Sequence, residues 1–182
     1  PGVAAGLLFG AEFAAIYAGL AHTTASRMVV FLYLAPPLTA LGLALLVPGE
    51  RMAPLQWAGV VLAFAGIVFA FHDGLAAGGR STWIGDALGV AAAFGWAATT
   101  VLIRASALAR IRAEKTLAWQ LGVSAPLMFG FSLLLGEAGV VQATPLAVAS
   151  LAFQTVVVAF ASYLTWFWLL TRYLGGRPAI FS

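Results

Sequence analysis

Six apolar runs, each about as long as a membrane crossing, divide this sequence, and very little charge interrupts them. They cover residues 1–21, 24–47, 54–71, 83–104, 116–135 and 146–171, and a further run opens at Pro178. A bilayer core takes about 20 apolar residues per helix, so each run is read as one transmembrane helix. The runs are apolar all round. Transmembrane strands alternate apolar and polar residues, so the expected class is all-α, a polytopic helix bundle. Charge supports this: nine Lys and Arg plus six Asp and Glu cannot coat a water-facing surface on 182 residues. Hydrophobic residues reach 63%, against about 45–50% in soluble domains.

Several classes of function fall away. Disorder needs low hydrophobicity and high charge. A net charge of +3 spread between apolar runs is no basic patch, so no nucleic-acid partner is expected. With no cysteine, disulfides, thiolate catalysis and thiolate-bound metals are absent. His22, His72 and Asp73 match no zinc spacing, and neither metal nor cofactor is expected. No H-E-x-x-H, G-x-S-x-G or phosphate loop occurs, and no nucleophile–base pair lies in a span, so no enzyme activity is expected. No basic region precedes the first run, so it is not read as a signal peptide. Because the chain opens at Pro1 and ends inside a new apolar run, it is read as part of a longer protein.

The basic residues sort by side. Loops on one side hold Arg27 and Arg80; those on the other hold Arg51, Arg104, Arg110, Arg112, Lys115, Arg172 and Arg177. The Lys/Arg excess marks the cytoplasmic side of a plasma membrane, so the first span runs from inside to outside. Trp57, Trp83, Trp119 and Trp168 fall near span ends, where indoles anchor at the interface. Gly2, Gly6 and Gly10, and again Gly85 and Gly89, recur four residues apart, which lets helix backbones approach closely.

A shift of 150 residues lays Ala11–Phe31 over Ala161–Phe181, pairing Leu20 with Leu170 and Arg27 with Arg177. The first span falls on the sixth. That is an odd number of crossings, so the copies enter the membrane from opposite sides, as in inverted-repeat transporters.

A further resemblance joins these features. Pro36 in mid-span leads to Gly49-Glu50-Arg51 and then Gln56-Trp57-x-Gly59. This resembles the end of the first repeat in EamA-like proteins of the drug/metabolite transporter superfamily, and Gly85–Arg104 is similar to the opening of the second. The resemblance covers essentially the whole chain. It implies ten helices in two inverted five-helix repeats, of which this chain holds about the third to the eighth. Residues 1–74 are then the last three helices of repeat one, 75–82 a loop, and 83–182 three helices and the start of a fourth of repeat two. The implied activity is alternating-access export of small organic metabolites or drugs, such as amino-acid-like solutes. A membrane-embedded enzyme or a channel is the alternative.

Candidate site residues follow from what is out of place in lipid. Glu12 is the one acid well inside a span, where an ionised carboxylate costs about 2.5–3.5 kcal/mol on insertion scales. With no cation within two turns, the protonated form is favoured. It is read as a carboxyl that binds a cationic group of the substrate or exchanges a proton as the coupling ion, or as a structural carboxyl bonded to a neighbouring helix. Thr155, Ala159, Ser162 and Trp166 share one face of the sixth span, with Tyr163 beside it. Gly89, Ala93, Trp96 and Thr100 form a stripe on the fourth. Both suit a cavity for amphipathic solutes, and both suit helix packing. Tyr33 stands one turn before Pro36; Pro36 with Pro37 is a candidate hinge, since proline frees a carbonyl and kinks a helix. The substrate-binding set is therefore Glu12, Tyr33, Trp96, Thr100, Ser162, Tyr163 and Trp166. Glu50 and Arg51 are assigned to turn chemistry.

Overall fold

The computed structural model describes residues 1–48, 52–76, 82–137, 139, 142–162 and 165. Among them the chain is helical throughout, without strands, and five helices are long and apolar enough to cross a membrane. The elements are α1 (Gly2–Leu20), α2 (Ala25–Leu32), α3 (Ala35–Leu46), α4 (Pro54–Ala70), α5 (His72–Ala76), α6 (Thr82–Ala105), α7 (Ala113–Leu134) and α8 (Pro145–Phe153). A 3₁₀ turn at Ala107–Arg110 precedes α7, and a π-helix at Gln154–Ser162 continues α8. The five long spans are Gly2–Leu20, Ala25–Leu46, Thr82–Ala105, Glu114–Leu134 and Pro145–Ser162. Each lies over one of the apolar runs. The remaining run is α4, whose 17 residues rise about 25 Å, slightly less than a ~30 Å hydrocarbon core.

The chain divides into two compact units, Pro1–Phe131 and Ser132–Ser182. In the second, α8 starts at Thr144, whose hydroxyl accepts from the Ala147 N–H at 3.2 Å, with Pro145 in the first turn.

In the first unit α6 is the common partner, packed against α1, α3 and α2. The glycines make this possible. Gly19 faces Gly85 and Leu88, and Gly95 faces Glu12, so α1 and α6 run antiparallel. Gly89 faces Met28 and Phe31, and Gly42 faces Val101, so α2 and α3 run parallel to α6. Gly2, Gly6 and Gly10 face Trp119, Val123 and Leu127, a constant offset of 117 residues, so α1 and α7 run parallel. The Gly2–Gly10 stripe is thus the seat of α7, and the Gly85–Gly89 stripe takes the end of α1 and α2. Trp119 lies over Gly2, so it packs as well as standing near a span end.

These directions fix the path of α4. Because α2–α3 and α6 are parallel, the chain between them must travel back the full length of the pair. Met52, just before α4, lines a cavity with Leu43 and Thr100, whereas α5, just after it, touches α2. The N-terminus of α4 is closed by the Gln56 side chain, whose Oε1 accepts from the Ala53 N–H at 2.8 Å. The Gln-Trp-x-Gly pattern therefore has helix-end chemistry in its first residue. Glu50 and Arg51 lie outside the described residues.

Candidate functional site

The second long span is interrupted. α2 stops at Leu32, Tyr33 and Leu34 form a turn, and α3 starts at Ala35. The sequence places the irregularity at Pro36; the break sits upstream because a proline withholds its hydrogen bond from the residue four positions earlier. Pro36 and Pro37 have no N–H for the carbonyls of Leu32 and Tyr33. The Leu34 N–H turns instead to Phe31 at 3.1 Å, and helical bonding resumes from Leu38 to Leu34 at 3.1 Å.

Two adjoining cavities open on this break. One, about 390 Å³, is walled by Pro36, Thr39, Met52, Val60, Trp96 and Thr100. The other, about 470 Å³, is walled by Tyr33, Pro37, Gln56, Ala63 and Phe64, and shares Pro36, Met52 and Val60 with the first. The structure thus brings together Tyr33, Pro36, Pro37, Trp96 and Thr100, residues that are far apart in sequence. Trp96 and Tyr33 are 47% and 48% exposed, each presenting about half its surface. Among the described residues no charged side chain lines either space. The polar groups are the Tyr33 phenol, the Gln56 amide, the Thr39 hydroxyl and the Thr100 hydroxyl, which donates to the Trp96 carbonyl at 3.0 Å. Such an arrangement can hold an amphipathic solute between aromatic faces, with a few acceptors to orient it.

The α6 stripe divides between the two roles read for it. Gly89 and the fully buried Ala93 pack, whereas Trp96 and Thr100 face the cavity.

Glu12 sits one helix face away. It is 6% exposed, lies in the contact between α1 and α6, and lines neither cavity. A Cβ on Gly95 would stand 3.3 Å from its Cβ, so Gly95 makes the room it occupies. Among the described residues no hydrogen-bond donor is recorded on its carboxyl. The nearby Thr99 hydroxyl donates to the Gly95 carbonyl at 2.9 Å instead. A carboxyl in this setting can hold a proton within a small-residue interface.

The sixth-span residues belong to the second unit. There the Ser162 hydroxyl donates to the Val158 carbonyl, and that of Thr155 to Leu151 at 2.8 Å. The π-helical winding from Gln154 to Ser162 replaces the 3.6-residue period on which the shared face was read. Tyr163 and Trp166 lie outside the described residues.

One cluster is not visible to sequence reasoning. Arg27, in the first turn of α2, forks onto Asp86, early in α6. Its Nε donates to Asp86 Oδ1 at 3.1 Å, and one terminal nitrogen bonds Oδ2. The other terminal nitrogen donates to the Leu75 carbonyl in α5, and the Thr23 hydroxyl adds a 3.3 Å bond to Asp86. The two side chains are only 11% and 17% exposed. Their 59-residue separation hides the pair. The one available signal is that both residues fall at span ends on the same side. His72 and Asp73 form a 3.1 Å contact on an exposed turn. Among the described residues no three His, Asp or Glu side chains converge.

No family model matches the sequence, and no match is found among the curated proteins or the solved structures.

Proposed function

We propose that the chain is the central part of a secondary transporter that exports small organic metabolites or drugs by alternating access, similar to the EamA-like drug/metabolite transporters. It crosses the membrane six times, α4 included, and a seventh crossing starts near its end. The end of the bundle bearing Arg104, Arg110, Arg112 and Lys115, with Arg51 and Arg172, lies in the cytoplasm. Residues 1–74 and 83–182 belong to two inverted repeats.

The observation that carries this reading is the broken helix at Tyr33–Leu34. Secondary transporters place substrates at interrupted helices near the bilayer midplane, where unwound backbone supplies polar contacts. Here the break opens on aromatic-walled cavities bounded by α3, α4 and α6. On the repeat template α6 opens the second half, so the site lies between the halves. Tyr33 and Trp96 clasp the solute, the carbonyls freed by Pro36 and Pro37 accept its donors, and the break is the hinge. Glu12 is the coupling group, taking up and releasing a proton as the α1–α6 contact loosens and closes. Among the described residues no Lys or Arg lines the cavities, which disfavours phosphate-bearing cargo.

The test is solute flux into proteoliposomes carrying the full-length protein. Saturable, counterflow-stimulated uptake of at least one member of a panel of neutral and zwitterionic organic solutes is expected. Non-saturable ion conductance would indicate a channel. Turnover of a lipid or peptide with no flux for any solute would indicate an enzyme.

A further inference from the structure

We infer that α2 is a hinged gate on the α1–α6 seam, next to the aromatic cavities, and that the Arg27–Asp86 pair is its latch. The inference rests on the transport reading for its purpose but not for its geometry. α2 is a separate lever of eight residues. Its far end is the Tyr33–Leu34 break, where the helical bonds that would stiffen it against α3 are missing. Its near end carries Arg27, bound to Asp86 on α6 and to the Leu75 carbonyl on α5. Between the two, Met28 and Phe31 close onto Gly89, and Met28 also meets Gly19. Tyr33 and Pro36, walls of the cavities, stand six and nine residues beyond Arg27, about 9 and 14 Å along a helix. Lifting the Arg27 end about the break uncovers the Gly19 and Gly89 seam beneath α2 and moves Tyr33, a wall of the neighbouring cavity.

The chemistry suits a reversible closure. Two charges taken out of water lose hydration that their attraction roughly repays, so a buried pair adds little net stability. When α2 lifts, both charges rehydrate, and the open and closed states stay close in energy. An apolar contact of equal area would hold the lid shut more firmly. The forked guanidinium–carboxylate geometry sets one closed position rather than a range. At the same end Gly19 and Gly85 bring α1 and α6 together, and α2 seats on the same seam through Met28 and Phe31.

These 182 residues hold no cysteine, so, with any cysteine elsewhere in the full-length protein replaced by serine, accessibility is read at one introduced thiol. Met28→Cys places it beneath α2, where Met28 is 3% exposed. The full-length protein is labelled with a membrane-impermeant maleimide in vesicles of each orientation. Against the Met28→Cys background, Asp86→Asn should speed labelling at least about tenfold from one face only. The swap of Arg27→Asp with Asp86→Arg should return the rate to within about threefold of native. Arg27→Lys, which keeps charge but loses the fork, should give an intermediate rate, and it carries the test if Asp86→Asn does not fold. An unchanged rate in Asp86→Asn and Arg27→Lys, or equal acceleration from both faces, overturns the latch. Flux on the same vesicles separates the two ideas. Latch-dependent labelling without any flux rejects transport and keeps the gate; flux with latch-independent labelling does the reverse.

Discussion

Adding one methyl group at Gly6 should weaken the bundle more than its size suggests. A Cβ there would overlap the Val123 Cβ and stand 2.8 Å from the Trp119 carbonyl oxygen, while ordinary contact begins at 3.4 Å. Neither neighbour can turn away, since the Val123 Cβ is fixed by its own backbone and the Trp119 oxygen is backbone, so α1 and α7 must part by about 1 Å. Because Gly2 and Gly10 sit in the same seam, that displacement loosens their contacts with Trp119 and Leu127 as well. Overpacking of this kind costs about 1–3 kcal/mol. Gly122, on α7, is the matched control: a Cβ there meets nothing within 4 Å. Alanine at Gly122 should be neutral or stabilising by up to about 1 kcal/mol, through the lost freedom of the unfolded chain. Both variants are compared by denaturant titration of helicity in mixed micelles, with the summed fluorescence of the six tryptophans as a second probe. If Gly6→Ala is as stable as Gly122→Ala, the close α1–α7 seam is not present in the folded protein.

Three further outcomes bear on the site. Glu12→Gln should insert and fold normally but flatten the dependence of flux on pH; a profile of native shape removes Glu12 from coupling. Trp96→Ala should raise the half-saturating solute concentration about tenfold through lost aromatic contact, whereas Thr100→Val should change it by less than about twofold, because that hydroxyl is already committed to the Trp96 carbonyl; the reverse order would relocate the solute. Pro36→Ala returns an N–H to the Leu32 carbonyl, so helicity should rise while flux falls at least about tenfold; native flux with a continuous helix would show that the break is not a working hinge.

The parts legible in the sequence are those set by one residue or one period. The spans follow from hydropathy, the interrupted second span from Pro36 and Pro37, and the close seams from glycines four apart. Glu12 stands out because lipid leaves so little room for charge. What stays hidden is which surfaces meet. Nothing near Gly95 in sequence says that it faces Glu12, and Arg27 reads as an orientation charge until α6 sets Asp86 beside it. The α6 stripe shows the limit well. Gly89 and Trp96 are equivalent by period, yet Gly89 meets Met28 and Phe31 of α2 while Trp96 lines a cavity with residues of α3 and α4.

The constant offset between α1 and α7 also sets a schedule for biogenesis. Gly2, Gly6 and Gly10 are synthesised 117 residues ahead of the side chains that fill their groove. At about 5–20 residues per second, the first helix waits roughly 6–23 s beside the ribosome with that face unoccupied. Lipid tails fill the groove in the meantime, or the insertion machinery shields it. Only the arrival of Trp119, Val123 and Leu127 displaces them, so α1 enters the membrane well before it finds all its neighbours.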